Sequence, residues 1–237
     1  SIEKVTEPLW YHQDAQSKGE DVIQLGDGSQ MVCEDLTYVP GLYKIFDEIL
    51  VNARDHVVRL HAKKVANRDT KISLVTCIKV SLDTKTHKVT VYNDGDGIDL
   101  VKMNDGKYPP QLIFGELLSS TNYNEKEIKT IGGKNGYGAK LTNIFSTYFK
   151  VETVDRINQL KYTQIYRNNM TVKEDPVVEK YTKRPFTRIT FKPDFEKFGT
   201  KKMSKDFVAL IEKRAYDMFA CSRGSINITF NNEKVPL

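Results

Sequence analysis

The chain has 237 residues, of which 39% are hydrophobic and 28% are charged, and it carries a net charge of +5. This composition is ordinary for a globular protein, and the absence of any run of about 18 apolar residues excludes a transmembrane helix. The first residues also lack the basic and then apolar layout of a secretory signal. A solvated basic surface explains the small positive excess as well as contact with nucleic acid does.

The three cysteines are far apart in the sequence and form no C-x-x-C pair. They are Cys33, Cys77 and Cys221. We therefore expect free, mostly buried thiols in a reducing compartment. The four histidines are not placed at ligand spacing, so a zinc site is not expected.

Residues 1–40 contain turn signals at 26–29 and 39–41, and we expect this segment to be irregular. From residue 41 to about residue 60, apolar side chains recur at steps of three and four residues, which predicts one amphipathic helix. The runs 72–82 and 88–93 predict a β-hairpin, and 110–119 predict a short helix. Further strands are expected at 149–154, 160–167, 187–191 and 225–230, and a second long helix at 204–220. This order predicts an α+β fold, with a mixed sheet and helices packed on one face.

A cluster of four glycines within seven residues precedes the apolar run 141–145. Glycine lets the backbone approach a ligand closely, and a helix that begins here would direct free N–H groups and its positive dipole end at one spot. That arrangement is typical of phosphate binding, whereas the alternative is an ordinary surface loop before a helix. A P-loop is disfavoured, because Ala139 and Lys140 follow Gly138 where Lys and Ser or Thr are needed. The dinucleotide-binding pattern also fails, because no strand precedes the glycines.

Glu48 and Asn52 lie four residues apart and so share one face of the predicted helix. A carboxylate beside apolar neighbours suits a general base, and an amide oxygen one turn away is a suitable ligand for Mg²⁺. By itself the pair is more typical of the polar edge of a helix than of a catalytic site. The turn 93–97, Asn-Asp-Gly-Asp-Gly, follows a strand and presents Asn93 for hydrogen bonding, although an ordinary hairpin turn has the same pattern. It is not a calcium loop, because Ile98 and Asp99 stand where a ligand and a glycine are required.

Together, these three motifs resemble the Bergerat-type (GHKL) ATPases in kind and in order. The blocks 38–53, 112–115 with 117–123, 132–140 and 143–147 are further similar to the ATPase domain of eukaryotic-type DNA topoisomerase II, and the likeness covers nearly the whole chain. The resemblance implies one GHKL domain over residues 1–237, with a mostly antiparallel sheet. An upstream arm that exchanges between subunits and a downstream transducer domain are then expected outside these residues.

The resemblance also implies roles for individual residues. Glu48 would be the base that polarises the attacking water, Asn52 would hold Mg²⁺, and Asn93 would recognise adenine. Ser120, Thr121 and Asn122 would contact ribose and phosphate. The glycine-rich lid would wrap the phosphates of ATP through Gly133, Lys134, Asn135, Gly136, Tyr137, Gly138, Ala139 and Lys140.

On this basis, we expect ATP and Mg²⁺ as cofactors, a homodimer formed on ATP binding, DNA as the partner of the full-length enzyme, and no membrane contact. These residues alone are expected to bind ATP but to turn it over weakly. The alternatives are a Bergerat-fold chaperone or mismatch-repair clamp, which the blocks 38–53 and 117–123 disfavour, and a non-enzymatic domain, which the intact Glu48 and Asn52 disfavour.

The sequence departs from the family pattern at several positions. His56 stands where the family usually has Asn, Asp96 replaces a basic residue, Asp99 replaces a proline, and Lys134 replaces an Arg. These departures indicate a divergent source, such as a protist or a large DNA virus. The expected location is therefore the nucleus for a cellular protein, and the host cytoplasm or viral factory for a viral one.

Overall fold

The computed structural model describes residues 2–13, 22–24, 30–67, 71–116, 137–222 and 225–235. The first of these residues form a small antiparallel sheet in the order β1-β3-β2. Its strands are β1 (Val5–Gln13), β2 (Val22–Gln24) and β3 (Gln30–Tyr38). The expectation that residues 1–40 are irregular is therefore wrong. Their polar side chains hide the strand pattern, but backbone pairing of β1 with β3 over nine residues, from Val5↔Tyr38 to Gln13↔Gln30, stabilises both strands.

Helix α1 (Pro40–Asn67) confirms the predicted long helix and extends it at its C-terminal end. Proline suits its first position, because the N–H that proline lacks would have no helical partner there. The backbone N–H of Tyr43 donates to the carbonyl of Val39 at 3.1 Å, which closes the first turn. The buried stripe of this helix consists of Leu42, Ile45, Phe46, Ile49, Leu50, Ala53, Val57 and Leu60.

The main sheet has nine strands in the order β12-β11-β4-β5-β10-β6-β7-β8, with β9 also paired to β7. The strands in chain order are β4 (Cys77–Asp83), β5 (Lys88–Asp94), β6 (Ser146–Asp155), β7 (Leu160–Arg167), β8 (Val172–Lys173), β9 (Val177–Lys180), β10 (Phe186–Pro193), β11 (Asn227–Phe230) and β12 (Glu233–Lys234). The pairing of β11 with β4 is parallel, and the other described pairings in this sheet are antiparallel. The sheet is thus mixed and mostly antiparallel, as predicted.

Burial alternates along the central strands of this sheet. In β4, Ile78, Val80 and Leu82 are buried, whereas the residues between them are half-buried or exposed. The buried set packs under α1 and under three shorter elements: α2 (Pro109–Gly115), α3 (Gly138–Ile144) and α4 (Lys205–Cys221). The core therefore lies on one face of the sheet, as expected for an α+β fold.

Three local predictions need correction. The predicted strand from 72 begins only at Cys77, because the segment before it hydrogen-bonds to the turn after β5; the N–H of Asp96 donates to the carbonyl of Ser73 at 2.8 Å. The helix predicted over 110–119 ends at Gly115, and Glu116 is extended. The cysteines are free, but Cys33 and Cys77 are only half-buried and Cys221 is exposed, so the expectation that they are mostly buried is wrong.

Candidate functional site

A cavity of about 430 Å³ lies between α1, α3 and the buried face of the sheet. Six of the predicted site residues line it: Glu48, Asn52, Asn93, Tyr137, Gly138 and Ala139. Apolar side chains supply much of the remaining wall, among them Ile49, Val91, Ile98, Phe114 and Ile189. A mostly apolar cavity with a few convergent polar groups is the usual form of a site for a small organic ligand.

Glu48 lines this cavity where α1 meets the start of α3. Its Oε1 forms an ion pair with Lys44 Nζ at 2.8 Å, and Lys44 lies one turn earlier on the same helix. The hydrogen bond to Glu48 raises the pKa of Lys44, since it favours the charged ammonium. Its other carboxylate oxygen faces Gly138, and a Cβ placed on Gly138 would lie 2.6 Å from the carboxyl carbon. A side chain at position 138 would therefore displace the carboxylate end of Glu48 from this position.

Helix α3 is fixed to α1 through a buried hydroxyl. Thr142 is fully buried, and its Oγ1 donates to the carbonyl of Ile45 at 2.8 Å. Asn143 is also buried, and its amide donates to the carbonyl of Phe114 at 2.9 Å, which joins α3 to the end of α2. The helix that was predicted to follow the glycines thus begins at Gly138 and is held rigidly beside Glu48.

Lys140 has a different position from the other described residues predicted to contact ATP. Its side chain is 4% exposed, and it is not among the described residues that line the cavity. Burial lowers the pKa of its ammonium, and Nζ lies 5.9 Å from the ring centre of Tyr137. The predicted contact of Lys140 with a phosphate therefore stays a prediction.

Asn93, near the end of β5, also lines the cavity. It is 4% exposed, and its side-chain amide donates to the carbonyl of Asp94 at 2.9 Å. The next strand, β10, places Thr187 directly opposite Asn93, and Thr187 also lines the cavity. An amide and a hydroxyl, both able to donate and to accept, are therefore neighbours in the cavity wall, and Thr187 Oγ1 is also 2.9 Å from Thr153 Oγ1.

The chain bends sharply after Asn93 because Asp94 binds the backbone in front of β4. Asp94 Oδ1 accepts from the N–H groups of Thr76 at 2.7 Å and Cys77 at 2.8 Å, and Oδ2 accepts from Arg184 at 2.6 Å. Burial opposes ionisation of Asp94, but the hydrogen bonds and the Arg184 charge together hold its pKa below the ordinary value. Gly95 follows with φ +92°, a conformation that few other residues adopt.

The sequence did not predict His56 and Arg59 of α1 as site residues, although both line the cavity. Arg59 Nη2 lies 2.7 Å from His56 Nδ1, and His56 Nε2 lies 2.6 Å from the carbonyl of Asp96. Because a guanidinium only donates, Nδ1 accepts and Nε2 carries the proton. The imidazole is therefore neutral, and burial together with the Arg59 charge lowers its pKa to about 4. The signal in the sequence was the helical spacing of Asn52, His56 and Arg59.

Asp96 extends this connection to the surface. Its carboxylate accepts from Arg156 Nε at 2.6 Å and Arg156 Nη2 at 3.1 Å, a two-point contact between the turn and the end of β6. The acidic residue noted in the sequence thus has a basic partner of its own. The remaining predicted site residues, Ser120, Thr121, Asn122, Gly133, Lys134, Asn135 and Gly136, lie outside the described residues.

Similar proteins were found by sequence over essentially the full chain. No family model matches it. DNA topoisomerase 2 of Acanthamoeba polyphaga mimivirus is 42% identical over 236 residues, 99% of this chain and 17% of that protein. Human DNA topoisomerase 2-beta is 42% identical over 238 residues, 100% of this chain and 13% of that protein. The chain belongs to the DNA topoisomerase II family.

Solved structures place the chain within one part of topoisomerase II. The ATPase region of Saccharomyces cerevisiae topoisomerase II matches with a TM-score of 0.78 and 36% identity, covering 100% of this chain and 57% of that one. The ATPase and transducer domains of the Balamuthia mandrillaris enzyme match with a TM-score of 0.74 and 37% identity, covering 100% and 56%. The fold is therefore that of the topoisomerase II ATPase domain.

A more distant structure confirms the fold class. The 43K ATPase domain of Thermus thermophilus gyrase B has a TM-score of 0.58 at 23% identity, over 83% of this chain and 45% of that one, and so shares the GHKL fold. The chain spans between 13% and 17% of the length of the viral, plant and human topoisomerase II relatives. Among the described residues, no helix is long and apolar enough to cross a membrane.

Proposed function

We propose that this chain is the ATP-binding gate domain of a DNA topoisomerase II, and that the cavity beside α1 holds the nucleotide. The observation that carries the proposal is that Asn93, Asn52 and Glu48, from a strand end and one helix face, line the same cavity. Asn93 and Thr187 suit the edge of an adenine base, the apolar wall suits its faces, and Glu48 with Asn52 suits the phosphate end. Membership of the family and the match to the yeast ATPase region support this assignment.

Glu48 is the proposed general base. Its carboxylate lies where α3 begins, and the ion pair with Lys44 fixes one oxygen while the other faces Gly138 and the cavity. A positioned carboxylate that orients a water for attack on the terminal phosphate is the expected catalyst for phosphoryl transfer, in which most of the rate comes from positioning and charge stabilisation. Glu48 thus holds the water and accepts its proton.

Asn52 is the proposed ligand for Mg²⁺. The described residues contain no group of three or more His, Cys, Asp or Glu side chains that could hold a metal ion. The amide oxygen of Asn52 alone suits Mg²⁺ that is bound together with a nucleotide. Such an ion takes one or two protein ligands and completes its shell with waters and phosphates. When bound, the ion would neutralise phosphate charge. Asn52 lines the cavity one helical turn after Glu48 and is suited to this contact.

The remaining proposals concern the whole protein. ATP binding is proposed to bring two copies together and close a gate on a DNA segment, with Ser120, Thr121, Asn122 and the lid from Gly133 to Lys140 contacting the nucleotide. The viral and human relatives are equally similar, at 42% identity, so the location is proposed as the nucleus for a cellular protein and the host cytoplasm or viral factory for a viral one.

Titration with a non-hydrolysable ATP analogue tests the proposal. Calorimetry should show one nucleotide per chain, with Mg²⁺ required for full affinity, and the mass in solution should then shift from that of one chain toward that of two. The test variant is Asn93→Leu, which keeps the branched shape of the side chain but cannot hydrogen-bond a base, and should bind much more weakly. Equal binding by the wild type and Asn93→Leu would remove adenine recognition from this cavity.

A further inference from the structure

The face of the nine-stranded sheet opposite the helices carries an excess of positive charge. Residues on this face alternate with the buried set along β4, β5 and β10. Lys79, Lys88 and Lys192 all lie on it, and no described carboxylate forms an ion pair with any of them. We call Lys79, Lys88, Lys192, Arg167 and Arg188 the sheet-face basic patch.

Four cations of the sheet-face basic patch lie over the rings of two tyrosines, Tyr92 and Tyr148. Lys79 Nζ and the Arg188 guanidinium lie 5.6 and 5.5 Å from the ring centre of Tyr92, and both residues are its direct neighbours across the sheet. These cation–π contacts hold the charged groups close to the sheet. Side chains held in place lose less freedom when they bind a ligand, which favours binding.

The second tyrosine repeats the arrangement farther along the strands. Tyr148 has Lys88 Nζ at 4.5 Å and the Arg167 guanidinium at 5.4 Å from its ring centre, and Lys192 lies opposite it on β10. The two groups are separated by about four residues of strand, or roughly 13 Å. Between them, Thr90 and Thr190 place two hydroxyls 3.1 Å apart, so the intervening surface is polar as well.

Acidic residues on this face, which include Asp83 directly opposite Lys88, offset only part of the charge. Glu152 is shared by Lys150 at 3.3 Å, Lys161 at 3.6 Å and Arg188 at 3.5 Å. Glu179 adds a second carboxylate to Lys161, and Glu174 pairs with Arg167. Three cations around Glu152 therefore face two carboxylates. The three lysines without ion pairs add to that positive excess.

We propose that the sheet-face basic patch binds the backbone phosphates of duplex DNA. Charge complementarity indicates a polyanion, and an array of Lys and Arg across a sheet is suited to phosphate contacts, which position a protein without reading sequence. Duplex DNA is the better match than a single strand, because cations already lie over Tyr92 and Tyr148 and leave less of each ring available for stacking on bases. The inference rests on the proposed role on DNA and adds a surface, distinct from the nucleotide cavity, that would contact it.

The test compares two triple variants of the 237-residue chain by fluorescence anisotropy with labelled duplex DNA over a range of salt concentrations. The patch variant is Lys79→Gln, Lys88→Gln and Lys192→Gln. Removing three phosphate contacts should make the negative slope of log K against log salt shallower by about 3 units and weaken binding at low salt. A charge-preserving Lys→Arg triple at the same sites should retain the wild-type slope, and thermal melting checks that each variant is folded.

The control triple changes Lys201, Lys202 and Lys205 to Gln. Lys201 and Lys202 precede α4 and Lys205 begins it, so these substitutions remove the same charge outside the patch. Equal loss of binding in the control triple would make the effect one of net charge alone and would overturn the proposal. So would tighter binding to a single strand of the same sequence, or no binding by the wild type. Affinity for the ATP analogue, measured in the same variants, distinguishes this failure from failure of the proposed nucleotide site.

Discussion

The carboxylate of Glu48 packs directly against the backbone of Gly138, so the proposed base and the start of α3 are sterically coupled. Gly138→Ala should destabilise the domain by about 1 kcal/mol or less, because the added methyl group only displaces the end of the flexible Glu48 side chain. In a Glu48→Ala background the same change should be neutral, or stabilising by up to about 1 kcal/mol, since alanine is the better helix former. Urea unfolding of the four proteins gives the coupling directly. An equal cost in both backgrounds would mean that Gly138 is required for another reason.

Glu48→Gln should separate nucleotide binding from turnover. The amide keeps the size of the side chain but cannot accept the proton of water, so the ATPase rate of the full-length enzyme should fall by about 10² to 10⁴. Affinity for the ATP analogue should stay at the wild-type level. Asp47→Asn, at the neighbouring carboxylate that pairs with Arg214, is the control and should retain turnover. If Glu48→Gln abolishes nucleotide binding, the residue is structural.

His56 should make the stability of the domain depend on pH. Its pKa is about 4 in the folded chain, below the ordinary value near 6.5, so the unfolded chain binds the extra proton first as pH falls. The stabilising contribution is therefore complete above pH 6.5 and is lost between about 6.5 and 4, with a total on the order of 3 kcal/mol. His56→Asn removes this titration, and its unfolding free energy should change less over that range. Identical pH slopes for the two proteins would contradict the assignment of a neutral imidazole.

Asp94 and Arg184 form an ion pair whose two members should contribute very differently. Asp94 is 1% exposed and accepts backbone hydrogen bonds, whereas the Arg184 side chain is 68% exposed. Asp94→Ala leaves buried N–H groups without an acceptor and should cost roughly 3 kcal/mol or more. Arg184→Ala should cost less than about 1 kcal/mol. Thermal unfolding of both variants measures the two losses of stability. Comparable losses would show that the ion pair, rather than the backbone contacts, holds the turn.

Local sequence patterns predicted the long helix and most strands correctly. The stripe from Leu42 to Leu60 is periodic because one face of α1 is buried, and β4 and β5 alternate because one face of the sheet is covered. The same patterns could not predict β1 and β3, whose stability comes from pairing between residues that are distant in the sequence, as far apart as Val5 and Tyr38. They also placed the start of β4 too early, because residues 72–76 use their backbone groups on the turn after β5.

By itself, the sequence determined which residue types are available at the site. The order of Glu48, Asn52, Asn93 and the glycine cluster pointed to a GHKL ATPase, and the longer blocks pointed to topoisomerase II. Spacing along one helix is enough to place Glu48 and Asn52 on a common face, because helical geometry is fixed locally.

Only the tertiary structure decided which groups meet. The contact of Glu48 with Gly138 joins residues 90 positions apart, and the links from Arg59 through His56 to Asp96 and Arg156 join a helix, a turn and a strand end. Lys140, adjacent to the glycines in sequence, is buried and is not among the described residues of the cavity wall. Such contacts depend on how α1, α3 and the sheet pack together, and packing is set by many distant side chains at once rather than by the residues nearest in the chain.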